Sequence, residues 1–352
     1  MRVSTLAPPR ADLSALLDLT QRAGSDPMLA QASTGNSSAK LNGILWVKAS
    51  GKWMADALRD DIFIPLPLAE IRECLRQGVD PATEYPAASL ETAMHGALPH
   101  RVVLHVHCVN TIARAVRADA SDQLGRLLRG LHWQWIPYVA SGLPLSRAIE
   151  QTLSRRPDRN VFVLGNHGLV IGGASAEAVE DLLADVVRRL SIRARQALPA
   201  DYAALLEIST DSPWDLPDDD AVHCLGTDIV SQKILAGGFL YPCQAIFSNA
   251  TSADLFQPIP YYDLLDCPSI RYCNRPFLIV EGRGALISKS AQPSELAMLS
   301  GLAEIVQRLD ASAPLRISDR RRGRGHLRTR PLQLPGACRS ESLSHKRWCQ
   351  LG

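Results

Sequence analysis

The spacing of apolar residues divides the chain into candidate helices and strands. Apolar residues recur with a helical period over residues 11–24 and again over residues 175–198, where serine and glutamate open the segment and arginines come late. Two short apolar runs, at residues 101–108 and 160–173, have the length and β-branched content of strands, and Gly-Asn-His-Gly interrupts the second like a hairpin turn. The pattern therefore predicts mixed α/β structure.

A change in composition over residues 200–222 separates two regions of the chain. This segment is acidic and contains proline, which is typical of a linker. Beyond it, the apolar runs at residues 239–249 and 275–289 predict strands, and residues 294–310 predict a closing helix. We therefore predict a first domain over residues 1–215, a smaller α/β domain over residues 216–312 and a basic, disordered tail over residues 313–352.

The composition is that of a globular protein with reduced cysteines. Hydrophobic residues make up 46% of the chain and charged residues 21%, which excludes a wholly disordered protein. No apolar run approaches the roughly 20 residues of a membrane-spanning helix, and the N-terminus lacks the pattern of a secretory signal, so we expect a cytoplasmic protein with no membrane partner. The 8 cysteines include no C-x-x-C pair, which argues against a zinc ribbon or a disulfide framework.

Positive charge is concentrated near the C-terminal end. From Arg316 onward there are ten Lys and Arg residues against two acidic residues, whereas the net charge of the whole chain is only +2. Such a tail could be an arm for nucleic acid, but it lacks the interleaved aromatic residues that stack on bases. We therefore expect no nucleic-acid partner and interpret the tail as disordered chain or as residues translated out of the original frame.

Two histidines on one predicted strand suggest a metal site. In RVVLHVHCVN, His105 and His107 are two residues apart, so a strand projects both from the same face. A catalytic zinc ion usually takes three protein ligands, and His167, flanked by glycines in its turn, is the natural third. Glu91 could be a general base beside the metal or an ordinary solvent-facing glutamate. From the residues alone, each histidine could also be a structural residue of the core, and a single core histidine such as His167 is more often structural than a ligand.

The order of these motifs resembles that of the class II aldolase/adducin family. The resemblance extends over about 180 residues, and matching motifs in a fixed order are far more specific than any one of them. The motifs are Gly35-Asn36-Ser37-Ser38, Lys48-Ala49-Ser50-Gly51, Ser89-Leu90-Glu91 with His95, His105-Val106-His107, and Asn166-His167-Gly168.

This resemblance implies a three-layer α-β-α sandwich around a mainly antiparallel sheet, with a smaller C-terminal α/β region, assembled as a homotetramer. It implies one Zn²⁺ ion per subunit, with His105, His107 and His167 as ligands and Glu91 as the catalytic acid/base. The residues that would bind a substrate phosphate are Gly35, Asn36, Ser50, Gly51 and Ser89. The implied activity is that of a lyase, a zinc-dependent aldolase acting on a sugar or sugar phosphate through a metal-stabilised enediolate.

Substrate and reaction stay open at this point. The family commonly has two serines before the glutamate, and here the second is Leu90, which removes a donor to a phosphate. Tyr138 is the candidate by proximity for the proton donor to the leaving aldehyde. The same machinery serves epimerases, dehydratases and decarboxylases, while the adducin branch keeps the fold as a non-catalytic binding protein. The presence of all three histidines and Glu91 favours an enzyme.

Overall fold

A seven-stranded sheet forms the centre of the computed structural model, which describes residues 10–247, 253–266, 272, 274–318 and 329–332. Its strands are β1 (Asn36–Leu41), β2 (Ile44–Lys48), β3 (Phe63–Pro67), β4 (Val102–Val106), β5 (Trp133–Ile136), β6 (Val161–Leu164) and β7 (Gly168–Gly173). Their order is β3-β2-β1-β4-β7-β6-β5, and neighbouring strands are antiparallel except for β5 and β6. The predicted mainly antiparallel sheet is confirmed.

Helices cover both faces of this sheet. They are α1 (Arg10–Ser25), α2 (Leu68–Gln77), α3 (Pro81–Glu84), α4 (Thr92–Ala97), α5 (Val109–Ala115), α6 (Ala120–Leu127), α7 (Leu143–Arg155) and α8 (Ala176–Leu190). Along β4, Val102, Leu104 and Val106 belong to the core formed with α1 and α8, whereas Val103 belongs to the core formed with α4 and α7. Because side chains alternate along a strand, this division produces the predicted three-layer sandwich.

The helix predicted over residues 175–198 begins as expected but ends earlier. Ser175 caps its start by accepting a 3.3 Å hydrogen bond from the amide of Ala178. The helix stops at Leu190, where the Arg114 guanidinium donates hydrogen bonds to the carbonyl oxygens of Leu190 and Ser191. A side chain from α5 thus satisfies carbonyls at the helix end, which the helical period alone does not reveal.

The C-terminal region forms a second, smaller sheet with its own helices. Its elements are α9 (Tyr202–Ser209), β8 (Trp214–Asp215), α10 (Cys224–Thr227), α11 (Ile229–Ala236), α12 (Pro242–Phe247), α13 (Tyr261–Asp266), β9 (Phe277–Val280), β10 (Gly284–Ser288) and α14 (Pro293–Gln307). The strands pair antiparallel in the order β8-β10-β9. Buried residues of α14, such as Leu302 and Val306, share one core with Val109 and Ile112 of α5. The predicted domain boundaries stay a prediction.

The predicted strand over residues 239–249 is wrong. Residues Pro242–Phe247 form helix α12, and residues 248–249 lie outside the described part of the chain. A proline with its fixed φ suits the first turn of a helix, and a short apolar run does not by itself distinguish a buried helix from a strand.

The start of the predicted tail is paired and packed. Strands β11 (Leu315–Ser318) and β12 (Thr329–Leu332) run antiparallel, and Leu315 and Ile317 are buried. The amide of Arg316 donates a 2.7 Å hydrogen bond to the carbonyl oxygen of Val116, at the end of α5. The remaining tail residues, 319–328 and 333–352, lie outside the described residues. None of the described helices is long and apolar enough to cross a lipid bilayer.

Candidate metal centre

Three histidine side chains converge at one end of the central strands. His105 lies in β4, His107 directly follows β4, and His167 lies in the turn between β6 and β7. Because β4 and β7 pair with His105 opposite Val170, this turn is held beside the end of β4. One ring nitrogen of each histidine lies within 4.8 Å of the others, and all three residues are buried. The structure therefore brings together the histidines that the sequence suggested.

The backbone of the turn before β7 allows this close approach. Asn166 has a φ of 51°, a left-handed conformation that asparagine tolerates better than most residues. A Cβ added at Gly168 would lie 2.5 Å from the carbonyl oxygen of Val106, so only glycine fits there. The Asn166 amide donates hydrogen bonds of 2.8 Å to the carbonyl oxygens of Leu240 and Arg316. The turn is thereby tied to the C-terminal region.

The carboxylate of Glu91, at the start of α4, lies beside the three histidines. It is the N-cap residue of that helix and is 8% exposed. Its carboxylate oxygens lie 3.0 Å from Nε2 of His167 and 3.4 Å from Nε2 of His105. Burial alone would raise the pKa of the Glu91 carboxyl, but attraction to His105 and His167 and their hydrogen bonds hold this pKa well below its ordinary value. The carboxylate is therefore ionised and able to face a cation.

His105 and His107 differ in their affinity for protons. Burial opposes a charge on His105, but the neighbouring Glu91 carboxylate outweighs it and raises the pKa of His105 above its ordinary value. Burial, together with the other two histidines, lowers the pKa of His107 well below its ordinary value. His107 is therefore held neutral, the form in which imidazole binds a metal.

Donor types and spacing fit one divalent metal ion. The Nε2 atoms of His105 and His107 lie 3.1 Å apart. Around a tetrahedral zinc ion with Zn–N distances of roughly 2.0–2.1 Å, ligand atoms lie about 3.3 Å from one another. His105 also donates through Nδ1 to the carbonyl oxygen of Leu169 at 3.0 Å, which leaves its Nε2 directed into the cluster. These residues could therefore hold such an ion.

A chain of buried polar side chains supports Glu91. The Asn36 amide donates a 2.7 Å hydrogen bond to Oε2 of Glu91. The Asn36 side-chain oxygen is hydrogen-bonded in turn to Nε2 of His95, and Nδ1 of His95 lies 2.7 Å from the Ser38 hydroxyl. Asn36 and Ser38 are two residues apart in β1, so both project from the same face of the sheet. All four residues are buried.

One arrangement of protons satisfies this chain. Burial and the nearby Lys40 lower the pKa of His95 to about 3, so its ring is neutral and carries a single N–H. Since the Asn36 amide nitrogen donates to Glu91, the Asn36 oxygen must accept, and Nε2 of His95 carries the proton. Nδ1 then accepts from the Ser38 hydroxyl. This order orients the Asn36 amide and, through it, the Glu91 carboxylate.

We expect His95→Phe to lower the free energy of unfolding by about 2–6 kcal/mol, because buried polar atoms on Asn36 and Ser38 lose their partners at roughly 1–3 kcal/mol each. His95→Gln, which keeps a donor and an acceptor, should lose less. Urea denaturation of the two variants measures the difference. Equal losses would contradict the hydrogen-bonding role of the His95 ring.

Lys48 lies between two segments to which the family resemblance assigns phosphate binding, a first turn at Gly35-Asn36 and a second turn at Ser50-Gly51. Its side chain is buried. Nζ donates a 3.2 Å hydrogen bond to the carbonyl oxygen of Ser33, which precedes the first turn, and a 2.5 Å hydrogen bond to the carbonyl oxygen of Lys52, which follows the second turn. Burial lowers the pKa of Lys48 to about 8. In the first turn, a Cβ added at Gly35 would lie 2.7 Å from the carbonyl oxygen of His105. The first turn therefore packs directly against β4.

The second turn lies beside the segment that precedes Glu91. The Ser50 amide donates a 3.0 Å hydrogen bond to the carbonyl oxygen of Ala87. Ser50 and Gly51 are exposed, and the hydroxyl of the half-buried Ser89 accepts a 3.2 Å hydrogen bond from the Glu91 amide. Leu90 is 60% exposed. Ser50 and Gly51 thus lie near Ser89, and phosphate binding by these residues stays a prediction.

Several contacts of the cluster have no signal in the sequence. The family resemblance assigns Asn36 to phosphate binding, and in the structure its amide donates to Glu91. This contact does not test a role in phosphate binding. The Ser141 hydroxyl donates to Oε1 of Glu91 at 3.4 Å, and Sγ of Cys243 lies 3.6 Å from Nδ1 of His107. Both come from distant parts of the chain, so no local pattern reveals them. The role of Tyr138 as a proton donor stays a prediction.

Fold and site together define an α/β protein with a buried cluster of three histidines and one carboxylate. Residues 15–193, half of the chain, match the family model described as the Class II Aldolase and Adducin N-terminal domain. The chain belongs to this family, and the resemblance of its motifs is confirmed.

Individual relatives are more distant. The Uncharacterized oxidoreductase YuxG of Bacillus subtilis (strain 168) is 28% identical over 176 residues, which cover 44% of this chain but only 25% of that protein. The N-terminal class II aldolase domain of a conserved protein from Thermoplasma acidophilum is 21% identical, with a TM-score of 0.44, over 54% of this chain and 97% of that chain. L-fuculose-1-phosphate aldolase from Thermus thermophilus is 18% identical, with a TM-score of 0.36, over 50% of this chain and 92% of that chain.

Proposed function

We propose that this protein is a zinc-dependent aldolase that acts on a sugar or a sugar phosphate. The observation that carries the proposal is the buried cluster of His105, His107, His167 and Glu91 in a chain of this family. Burying four ionisable side chains in one place carries a desolvation cost that a binding scaffold has no need to meet. The cluster therefore favours an enzyme over a non-catalytic relative.

Each part of the cluster has a chemical role in such a reaction. Zinc held by the three histidines would act as a Lewis acid toward substrate oxygens, where negative charge develops as the carbon–carbon bond breaks. Glu91 takes up and returns the proton of the reacting group. Asn36, oriented by His95, keeps the Glu91 carboxylate aimed into the cluster.

The turns near the cluster suit an anionic or polyhydroxylated substrate. Exposed turns such as Ser50-Gly51 offer backbone amides and a hydroxyl, which are typical donors to an anion. Leu90 offers no side-chain donor. We therefore propose that the site accepts a small sugar, phosphorylated or free. The homotetramer stays a prediction, which light scattering can test.

A retro-aldol screen tests the proposed activity. Zinc-loaded protein is incubated with ketose phosphates and with free ketoses, and the released aldehyde is measured together with the three-carbon product. We expect aldehyde from at least one substrate class, and release that is slower by about 10²-fold or more from the Glu91→Gln variant. A sugar epimer without cleavage, loss of water or release of CO₂ would instead assign the chain to the epimerases, dehydratases or decarboxylases. Equal aldehyde release with and without Glu91 would contradict the proposed role of the cluster.

A further inference from the structure

A segment of the C-terminal region lies directly against the candidate metal centre. Cys243, in α12, places its Sγ atom 3.6 Å from Nδ1 of His107. Three residues earlier, the carbonyl oxygen of Leu240 accepts a 2.8 Å hydrogen bond from Asn166, the neighbour of His167. Residues 240–243 therefore contact His107 directly and the residue next to His167.

The same segment is anchored to the helix that follows His107. Leu240 and the buried Tyr241 belong to one apolar core with Val109 and Ile112 of α5. Helix α5 begins two residues after His107, so the core that holds the segment also holds the backbone next to this histidine. The position of Cys243 relative to His107 is thus set by buried apolar contacts.

The sulfur contacts His107 at the ring nitrogen that does not face the other histidines. Nε2 of His107 lies 3.1 Å from Nε2 of His105, and Nδ1 faces Cys243. A histidine that binds a metal through one nitrogen needs a hydrogen-bond partner at the other, because that partner fixes the tautomer and the ring orientation. His105 has this partner in the carbonyl oxygen of Leu169. Among the described residues, the thiol of Cys243 occupies the corresponding place for His107.

We propose that Cys243 is a positioning residue for His107 and that residues 240–243 make the C-terminal region a part of the metal centre. The inference rests on the proposed metal-binding function and adds a residue that lies outside the matched family domain, residues 15–193. Cys243 is not a metal ligand in this arrangement, since its sulfur is on the Nδ1 side of the ring and the ion would be on the Nε2 side.

Zinc affinity measured against a chromophoric chelator tests this inference on the full chain. We expect Cys243→Ala to bind zinc about 10- to 100-fold more weakly than the unaltered protein, the range found when a partner of a ligating histidine is removed. Cys243→Ser, which keeps a hydroxyl, should recover part of the loss. Cys74→Ser, at a half-buried cysteine on α2, is the matched control and should bind as the unaltered protein does.

A second measurement separates positioning from general destabilisation. Leu278→Ala removes buried side-chain volume from β9, in an apolar core separate from the one that holds Leu240 and Tyr241. It should leave zinc affinity within about threefold of that of the unaltered protein. The Co²⁺-substituted protein should show shifted visible absorption bands in Cys243→Ala and not in Leu278→Ala. Unchanged affinity in Cys243→Ala, or equal weakening by Leu278→Ala, would overturn the inference while the proposed metal site stands. Absence of zinc binding by the unaltered protein would overturn both.

Discussion

His105→Ala is expected to abolish stoichiometric metal binding. The unaltered protein should carry about one zinc ion per chain after purification. The variant should carry little zinc, because it keeps only two of the three protein ligands that a catalytic zinc ion usually takes. His105 is fully buried at the centre of the cluster and both of its ring nitrogens make contacts there, so alanine removes a metal donor from the interior of the site. Metal analysis of the purified proteins measures the result.

His132→Ala is the matched control for this change. His132 is an exposed histidine whose ring contacts Asp158 at the surface, and it is not one of the three clustered histidines. Its removal should leave the zinc content unchanged. Added zinc should also raise the unfolding midpoint of the unaltered protein and of His132→Ala, because a ligand that binds the folded state stabilises it, and should not raise that of His105→Ala. The prediction would be wrong if the unaltered protein contained no divalent metal after purification and bound none when zinc was added.

Part of this cluster could be predicted from local pattern. The two-residue spacing of His105 and His107 predicts side chains on one face of a strand. In the structure His105 lies in β4, His107 directly follows it, and both rings enter the cluster. The arrival of His167 depends on the pairing of β4 with β7, whose register puts His105 opposite Val170. The glycines around His167 make it a candidate third ligand, but local sequence does not encode which distant strands pair, and the family resemblance is what favours His167 in this role.

The hydrogen-bonded support of Glu91 could not be predicted in the same way. Asn36 reaches the cluster because β1 pairs with β4, with Asn36 opposite His105 in the register. The family resemblance places Asn36 among the residues that bind a substrate phosphate, and local sequence does not encode that β1 pairs with β4. The position of Cys243 beside His107 could not be predicted either, because the apolar pattern predicts a strand over residues 239–249, whereas Pro242 begins a helix.

Glu91→Gln is expected to lower kcat by about 10²- to 10⁴-fold, the range that a positioned general acid or base contributes. Glutamine has the size of glutamate, and its side-chain oxygen can still accept the hydrogen bond from Asn36, so the pocket and the His95 chain should keep their shape. It cannot take up a proton at neutral pH. Turnover is measured with the substrate identified in the aldehyde-release screen, at a zinc concentration that saturates both proteins.

Retention of zinc distinguishes a lost acid/base from a damaged metal site. The three histidines are untouched in Glu91→Gln, so the variant should still bind zinc at saturating concentration, in contrast to His105→Ala. Glu150→Gln, at an exposed position on α7, is the matched control and should turn over as the unaltered protein does. A zinc-loaded Glu91→Gln protein with full activity would show that the carboxylate only supports the histidines, and another group, with Tyr138 the first to test, would then have to move the proton.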